Sequence, residues 1–136
     1  MDDFVDLLYK RDSRLERIDF SNNKITYAGA GKLFGALKNN FMLKQVNLSE
    51  NDLSGSALLQ IGIFLKTNKS INYLNLNNCN LGEHTCKVIG ESIGFNNYIH
   101  TLLLCNNNMK VKCLIFCFNL FPECWRTCNR YWFKRK

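Results

Sequence analysis

LERIDF at 15–20, LKQVNL at 43–48, INYLNL at 71–76 and IHTLLL at 99–104 are four copies of one phrase: aliphatic, two variable residues, then aliphatic, variable, apolar. Three residues after the last apolar position stands Asn23, Asn51, Cys79 or Asn107, and two beyond it an apolar Ile25, Leu53, Leu81 or Met109. Each copy begins 28 residues after the one before. A constant period of this length marks a repeat architecture, in which a unit too small to bury its own apolar face stacks on its neighbours.

The unit from Leu43 to Ser70 shows what one repeat does. Leu43, Val46 and Leu48 read as the core side of a short strand, with Gln45, Asn47 and Ser49 alternating to its other face. Asn51 turns the chain and supplies side-chain hydrogen bonds to a turn enclosed between units, where backbone N–H and C=O groups cannot stay unpaired. Ser54–Gly55–Ser56 offers helix N-cap chemistry, and Ala57, Leu58, Ile61, Phe64 and Leu65 follow at helical spacing as one apolar stripe. The neighbouring units answer with Gly29, Ala30, Leu33, Ala36 and Leu37, and with Cys86, Ile89, Ile93 and Gly94. The small residues Gly29, Ala57, Gly62 and Gly90 fall where helix and sheet are expected to approach closely.

Over residues 15–109 this pattern, L-x-x-L-x-L-x-x-N/C-x-L with a full helix per unit, resembles the ribonuclease-inhibitor-like class of leucine-rich repeats. The resemblance implies an α/β solenoid: a short curved horseshoe with parallel strands near 15–20, 43–48, 71–76 and 99–104 on its concave side and helices on its convex side. Shifted by one period, residues 1–14 align with the back half of a helix whose own strand is missing. Residues 110–136 break the pattern, because Ile115, Phe116 and Leu120 spoil the amphipathic stripe and Pro122 ends the element. This irregular, basic, aromatic, Cys-rich tail is either a cap using Phe118, Phe121 and Trp125, or the end of a truncated form of a longer repeat protein. The interrupted ends favour truncation.

Net charge is +7 over 136 residues, but its location matters more than its size. Residues 110–136 hold seven of the 18 Lys and Arg and only one of the 11 Asp and Glu, so the repeat body is close to neutral. That disfavours nucleic acid as the partner of the body. The N-terminus is acidic and lacks a signal-peptide apolar core, and no apolar run is long enough to span a membrane. The expectation is therefore a cytoplasmic protein whose seven Cys are thiols, with no disulfides.

Chemistry-bearing constellations are few. Cys113, Cys117, Cys124 and Cys128 have a spacing zinc tolerates, but Cys113 and Cys117 sit among apolar residues where Cys acts as a small hydrophobe. No metal or cofactor is expected. Arg126, Arg130 and Lys134, interleaved with Trp125, Trp132 and Phe133, make membrane-surface association through the tail the alternative function. His84 and His100 are the only histidines, and no nucleophile or phosphate-loop motif accompanies them. Some proteins of the resembled class regulate small GTPases through an Arg or Asn at a loop edge. Arg17, Asn77–Asn78 and Asn106–Asn108 are the only counterparts, and no motif matches.

The expected function is non-enzymatic binding of an unidentified protein partner through the concave strand face. Alternation places Arg17, Asp19, Gln45, Asn47, Tyr73, Asn75, Thr101 and Leu103 there. Most are short hydrogen-bonding side chains, and Tyr73 is the one large amphipathic anchor, a residue type enriched at interface hot spots.

Overall fold

The structure, a computed structural model, describes Leu8, residues 14–55 and residues 58–108, the side chains of Leu58 and Cys86 excepted. The expectations about Ser56, Ala57, Met109, the Cys86 side chain, the tail cysteines and the basic aromatic tail lie outside the described residues, as do those about 1–14 apart from Leu8 and Arg14.

Strands and helices alternate. β1 is Arg17–Asp19, α1 Tyr27–Lys38, β2 Gln45–Asn47, α2 Leu58–Thr67, β3 Tyr73–Asn75, α3 Gly82–Ile93 and β4 Thr101–Leu103. The strands form one parallel sheet in chain order, β1-β2-β3-β4. Parallel neighbours need a long crossover, and the spacing of the phrases provides it with a helix in each interval. The register repeats without slip, pairing Ile18 with Val46, Val46 with Leu74 and Leu74 with Leu102. Each strand is three residues long, shorter than the expected six, because only the middle of each phrase satisfies the ladder. The flanking residues pair instead in turn geometry, as where the Phe20 amide donates to the Asn47 carbonyl at 2.8 Å and the Leu48 amide to Asn75 at 2.9 Å.

The central residue of each strand points into the core, with Val46 and Leu74 fully buried. Leu43, Leu48, Ile71, Leu76, Ile99 and Leu104 close over it from the phrase ends. Leu15 and Phe20 pack only partly, since no described strand lies on the far side of β1. From the helices come Ala30, Leu33, Ala36 and Leu37 of α1, Ile61, Phe64 and Leu65 of α2, and Ile89 and Ile93 of α3. Phe34, absent from the sequence-read stripe, is fully buried, its ring centroid 5.4 Å from that of Phe64 on the next helix. Gly94 departs the other way, being exposed at the end of α3. Gly62 is required for helix–helix rather than helix–sheet approach: a Cβ there would lie 2.8 Å from Val88 Cγ1 and 3.2 Å from Ser92 Oγ.

Two columns of side chains hold the turns. In the first, Asn51 Oδ1 accepts from the Asn23 and Ile25 amides at 3.1 and 2.9 Å, while its Nδ2 donates to the Phe20 and Leu48 carbonyls. Asn107 repeats this between the last two units, accepting from Cys79 and Leu81 and donating to Leu76 and Leu104. Cys79 occupies the same place between them. Its thiol donates to the Leu48 carbonyl at 3.2 Å, and the Leu53 amide, lacking a side-chain acceptor, turns to the Cys79 carbonyl at 3.0 Å. Burial pushes this thiol up to about 11.

The second column stands where the helices return to the strands. Asn40, Asn68 and Asn96 are buried. Asn68 Oδ1 accepts from the Ser70 and Ile71 amides at 3.0 and 2.9 Å, and its Nδ2 donates to the Leu37 and Asn40 carbonyls of the preceding unit. Asn96 reaches Leu65 and Asn68 in the same way, and Asn40 reaches Leu8, which is helical and buried.

Replacing Asn68 by Ala strands the buried Ser70 and Ile71 amides and leaves the Leu37 and Asn40 carbonyls with one partner fewer, and should cost about 2–4 kcal/mol in chemical denaturation. Asn97→Ala, exposed beside the equivalent Asn96, should cost under about 0.5 kcal/mol. Gly62→Ala should destabilise by about 1 kcal/mol despite the better helix propensity of Ala, because the stiff Val88 side chain cannot withdraw. The same change in a Val88→Ala background should lose that penalty, and a cost that persists there would show that the contact with Val88 is not its cause.

Candidate functional site

The sheet has one face turned to the core and one turned outward, and the outward face brings together all eight residues selected from the sequence. The register lines them up in two rows across the strands. Arg17, Gln45, Tyr73 and Thr101 form one row, and Asp19, Asn47, Asn75 and Leu103 the other. Arg17 and Asp19 are exposed and the other six half-buried. The face therefore changes character from β1 to β4: charged first, polar amide in the middle, apolar at Leu103. Tyr73 stands between Gln45 and Thr101, with neighbours on both sides.

A third row continues past the strand ends through Ser21, Ser49, Asn77 and Cys105, and it stiffens the second. Asp19 Oδ1 accepts from the Ser21 amide at 2.8 Å and the Ser21 hydroxyl at 2.6 Å. Asn47 Oδ1 takes the Ser49 amide and hydroxyl in the same manner, and Asn75 Oδ1 the Asn77 amide at 3.0 Å. Side chains that bond the backbone two residues on make Asx-turns, a local geometry open to short polar residues. Across the strands, Asn47 Nδ2 donates to Asp19 Oδ2 at 2.9 Å, and Asn77 Oδ1 accepts from the Cys105 amide at 2.7 Å. The strand-following turns also need left-handed backbone at Asn22, Glu50, Asn78 and Asn106, with φ of 53°, 60°, 54° and 57°. Asn tolerates that region better than most residues. Strand alternation places Ser49 on this face but does not show that the third row fixes the second; the repeated polar-x-Ser/Asn spacing is the signal for it.

One expectation is corrected at this face. The expectation is thiols throughout, yet Cys105 is disulfide-bonded, while Cys79 is a free buried thiol. The expectation concerned the redox compartment. The bond depends on two sulfurs meeting at the right separation, which chain order does not reveal.

Chemically, the face offers hydrogen-bond donors and acceptors, one cation, one anion and one aromatic ring. Among the described residues no three His, Cys, Asp or Glu side chains converge to hold a metal ion, and no described helix is long and apolar enough to cross a membrane. His84 and His100 are both exposed, and the His100 ring nitrogen Nδ1 lies 2.6 Å from the Tyr98 carbonyl rather than on the sheet face.

The Ser21 hydroxyl and amide, followed by the Asn47 amide, hold the Asp19 carboxyl below the ordinary value of 3.8. These bonds favour the folded state fully above the unfolded carboxyl range, and the gain is lost as pH falls through the lowered pKa. Followed by NMR, Asp19 should titrate below an unstructured Asp. Ser21→Ala should raise its midpoint more than Asn47→Ala does, and equal shifts would reverse that ranking.

The sequence matches no protein-family profile and no curated protein. Solved structures do resemble it. The actin-binding site 2 (ABS2) of leiomodin-1 superposes with a TM-score of 0.76 at 17% identity, over 98% of this chain and 94% of that one. The tropomodulin C-terminal domain of Caenorhabditis elegans gives 0.76 at 15% identity, over 88% of this chain and 74% of the other. At such identities the likeness speaks for the fold, and the fold is of the leucine-rich-repeat type.

Proposed function

We propose that this chain is a non-enzymatic protein–protein interaction module that binds its partner through the outward sheet face, centred on Tyr73. In this reading residues 15–109 are 28-residue repeats of the ribonuclease-inhibitor-like class, the sheet face lines the concave side of a short curved solenoid, and the protein works in the cytoplasm. Residues 1–14 are the rear of a preceding unit, and 110–136 are a tail outside the repeats. The observation that carries the proposal is the row Asp19, Asn47, Asn75, whose side chains are fixed by turn hydrogen bonds before any partner arrives. Polar groups already ordered lose little entropy on association, which converts modest contacts into usable affinity. Tyr73 adds a rigid amphipathic anchor at the centre of that surface.

The leiomodin structure is named for an actin-binding site, so actin is the partner to test first. In co-sedimentation with filamentous actin, and in capture from a cell lysate, Tyr73→Ala and Asn75→Arg should each weaken binding by about tenfold or more. Both residues are only half-buried, so the variants should fold, which a thermal melt checks. Unchanged recovery of every partner by both variants would count decisively against the sheet face.

A further inference from the structure

The edge at which helices return to strands carries a second surface, distinct from the sheet face. The three return turns, 38–44, 66–72 and 94–100, contain Lys38, Lys44, Lys66 and Lys69 and no Asp or Glu. All four lysines are exposed, and none is ion-paired to a described residue. Between them stand four of the six large apolar side chains exposed among the described residues: Phe41 at 64% exposure, Phe95 at 73%, Tyr98 at 45% and Met42 at 39%. The opposite edge differs. Its turns carry Glu50 and Asp52 with one lysine, Lys24, and its one exposed aromatic residue is Tyr27 at the start of α1.

The fold does not need these side chains. Phe41 and Lys69 stand at equivalent places one unit apart, as do Met42, Ser70 and Tyr98. Ser70 is buried and hydrogen-bonded to the Asn40 carbonyl, so the turn is complete with a small polar residue where Met42 and Tyr98 instead project. The turns themselves are closed by Asn40, Asn68 and Asn96. The aromatic and Met side chains are of the types enriched at the core of protein interfaces, and the lysines around them supply a polar rim.

We propose that this edge docks an acidic, amphipathic segment of a partner protein, its apolar residues covering Phe41, Phe95 and Tyr98 and its carboxylates meeting Lys66 and Lys69. Charge complementarity sets the sign of the occupant, because four exposed lysines outnumber the one described carboxylate on this edge, Glu16 beside Lys44, and favour a polyanion. Lys66 decides between a protein and a lipid surface. Its Nζ sits 5.5 Å from the centroid of the Phe95 ring. Sinking that ring into hydrocarbon would drag the ammonium toward a medium that rejects it, whereas a carboxylate beside an apolar side chain satisfies both partners at once. The length also fits. Phe41 and Phe95 belong to turns two units apart, roughly 10 Å at the strand side and roughly 20 Å at the helix side, a distance that two to four helical turns of ligand cover.

The test uses the full chain and a short fluorescent peptide composed of Glu, Leu and Phe. Controls are its counterpart with Lys in place of Glu, and vesicles of phosphatidylcholine with about 30% phosphatidylserine. The acidic peptide should bind and its Lys counterpart should not, with affinity falling as salt rises from about 0.05 to 0.2 M. The pair Phe41→Ser and Phe95→Ser should weaken binding about tenfold or more, and the pair Lys66→Glu and Lys69→Glu should abolish it. Tyr73→Ala should leave it unchanged, which separates this edge from the sheet face. All four edge side chains are exposed, so the variants should melt with the wild type. Phe41→Ala and Lys69→Gln, taken singly, serve if a pair does not. Equal peptide binding by wild type and edge variants, no binding at all, or preference for the vesicles would each overturn the proposal.

Discussion

A backbone amide enclosed between two stacked turns has no water to pair with, and leaving it unpaired costs as much as many mutations do. That constraint organises this chain. Each β–α unit must turn twice, and both turns are enclosed by the next unit. Asn51 and Asn107 meet the requirement after the strands, and Asn40, Asn68 and Asn96 meet it after the helices. An Asn side chain suits the task because it accepts through Oδ1 and donates through Nδ2 from one planar group. It can therefore close its own turn and reach the carbonyl of the unit before. The apolar stripes supply most of the burial, while these amides set the pitch at which the stripes align.

The ease of reading this chain follows from the same constraint. A register that cannot slip writes itself as a constant interval, so the phrases at 15, 43, 71 and 99 predict an α/β fold with four parallel strands and place eight side chains on one face. Period-two alternation then separates Val46 from Gln45 and Asn47 without ambiguity, because a strand has only two faces. Helix detail was harder. A stripe at spacings of three and four leaves adjacent positions open, so Phe34, beside the expected Leu33, is marked as core only by Phe64 on the neighbouring helix. Gly62 looked like relief for the sheet when its true neighbour was Val88, since a sequence names a close approach but not what approaches.

The surface was legible in part for related reasons. The composition of the sheet face could be read from alternation. That its second row is held by Ser21, Ser49 and Asn77 could not, because Asx-turns depend on the backbone leaving the strand two residues later. Nor could the return edge be found by pattern. Phe41, Phe95 and Tyr98 hold different places in their turns and fall on one edge only when the units are stacked. Two surfaces of opposite logic result: one polar and pre-ordered, the other apolar and cationic.

Cys79 gives the array a seam. Along a stack held by nearest-neighbour bonds, cooperative opening begins where a neighbour bond is weakest. A thiol is a poor donor and a poorer acceptor than an amide, and it offers one group where Asn offers two. At the junction between the second and third units the Asn bridge is replaced by one sulfur bond and one redirected backbone amide, beside the Glu50-to-Asn77 backbone bond and the Asn80-to-Asp52 side-chain bond, while the junctions on either side carry a full Asn bridge. Amide protons around Leu53 sit on that junction. Tyr73 lies on the first strand past that junction, so whatever grips the sheet face across β2 and β3 also bridges the one turn that lacks an Asn.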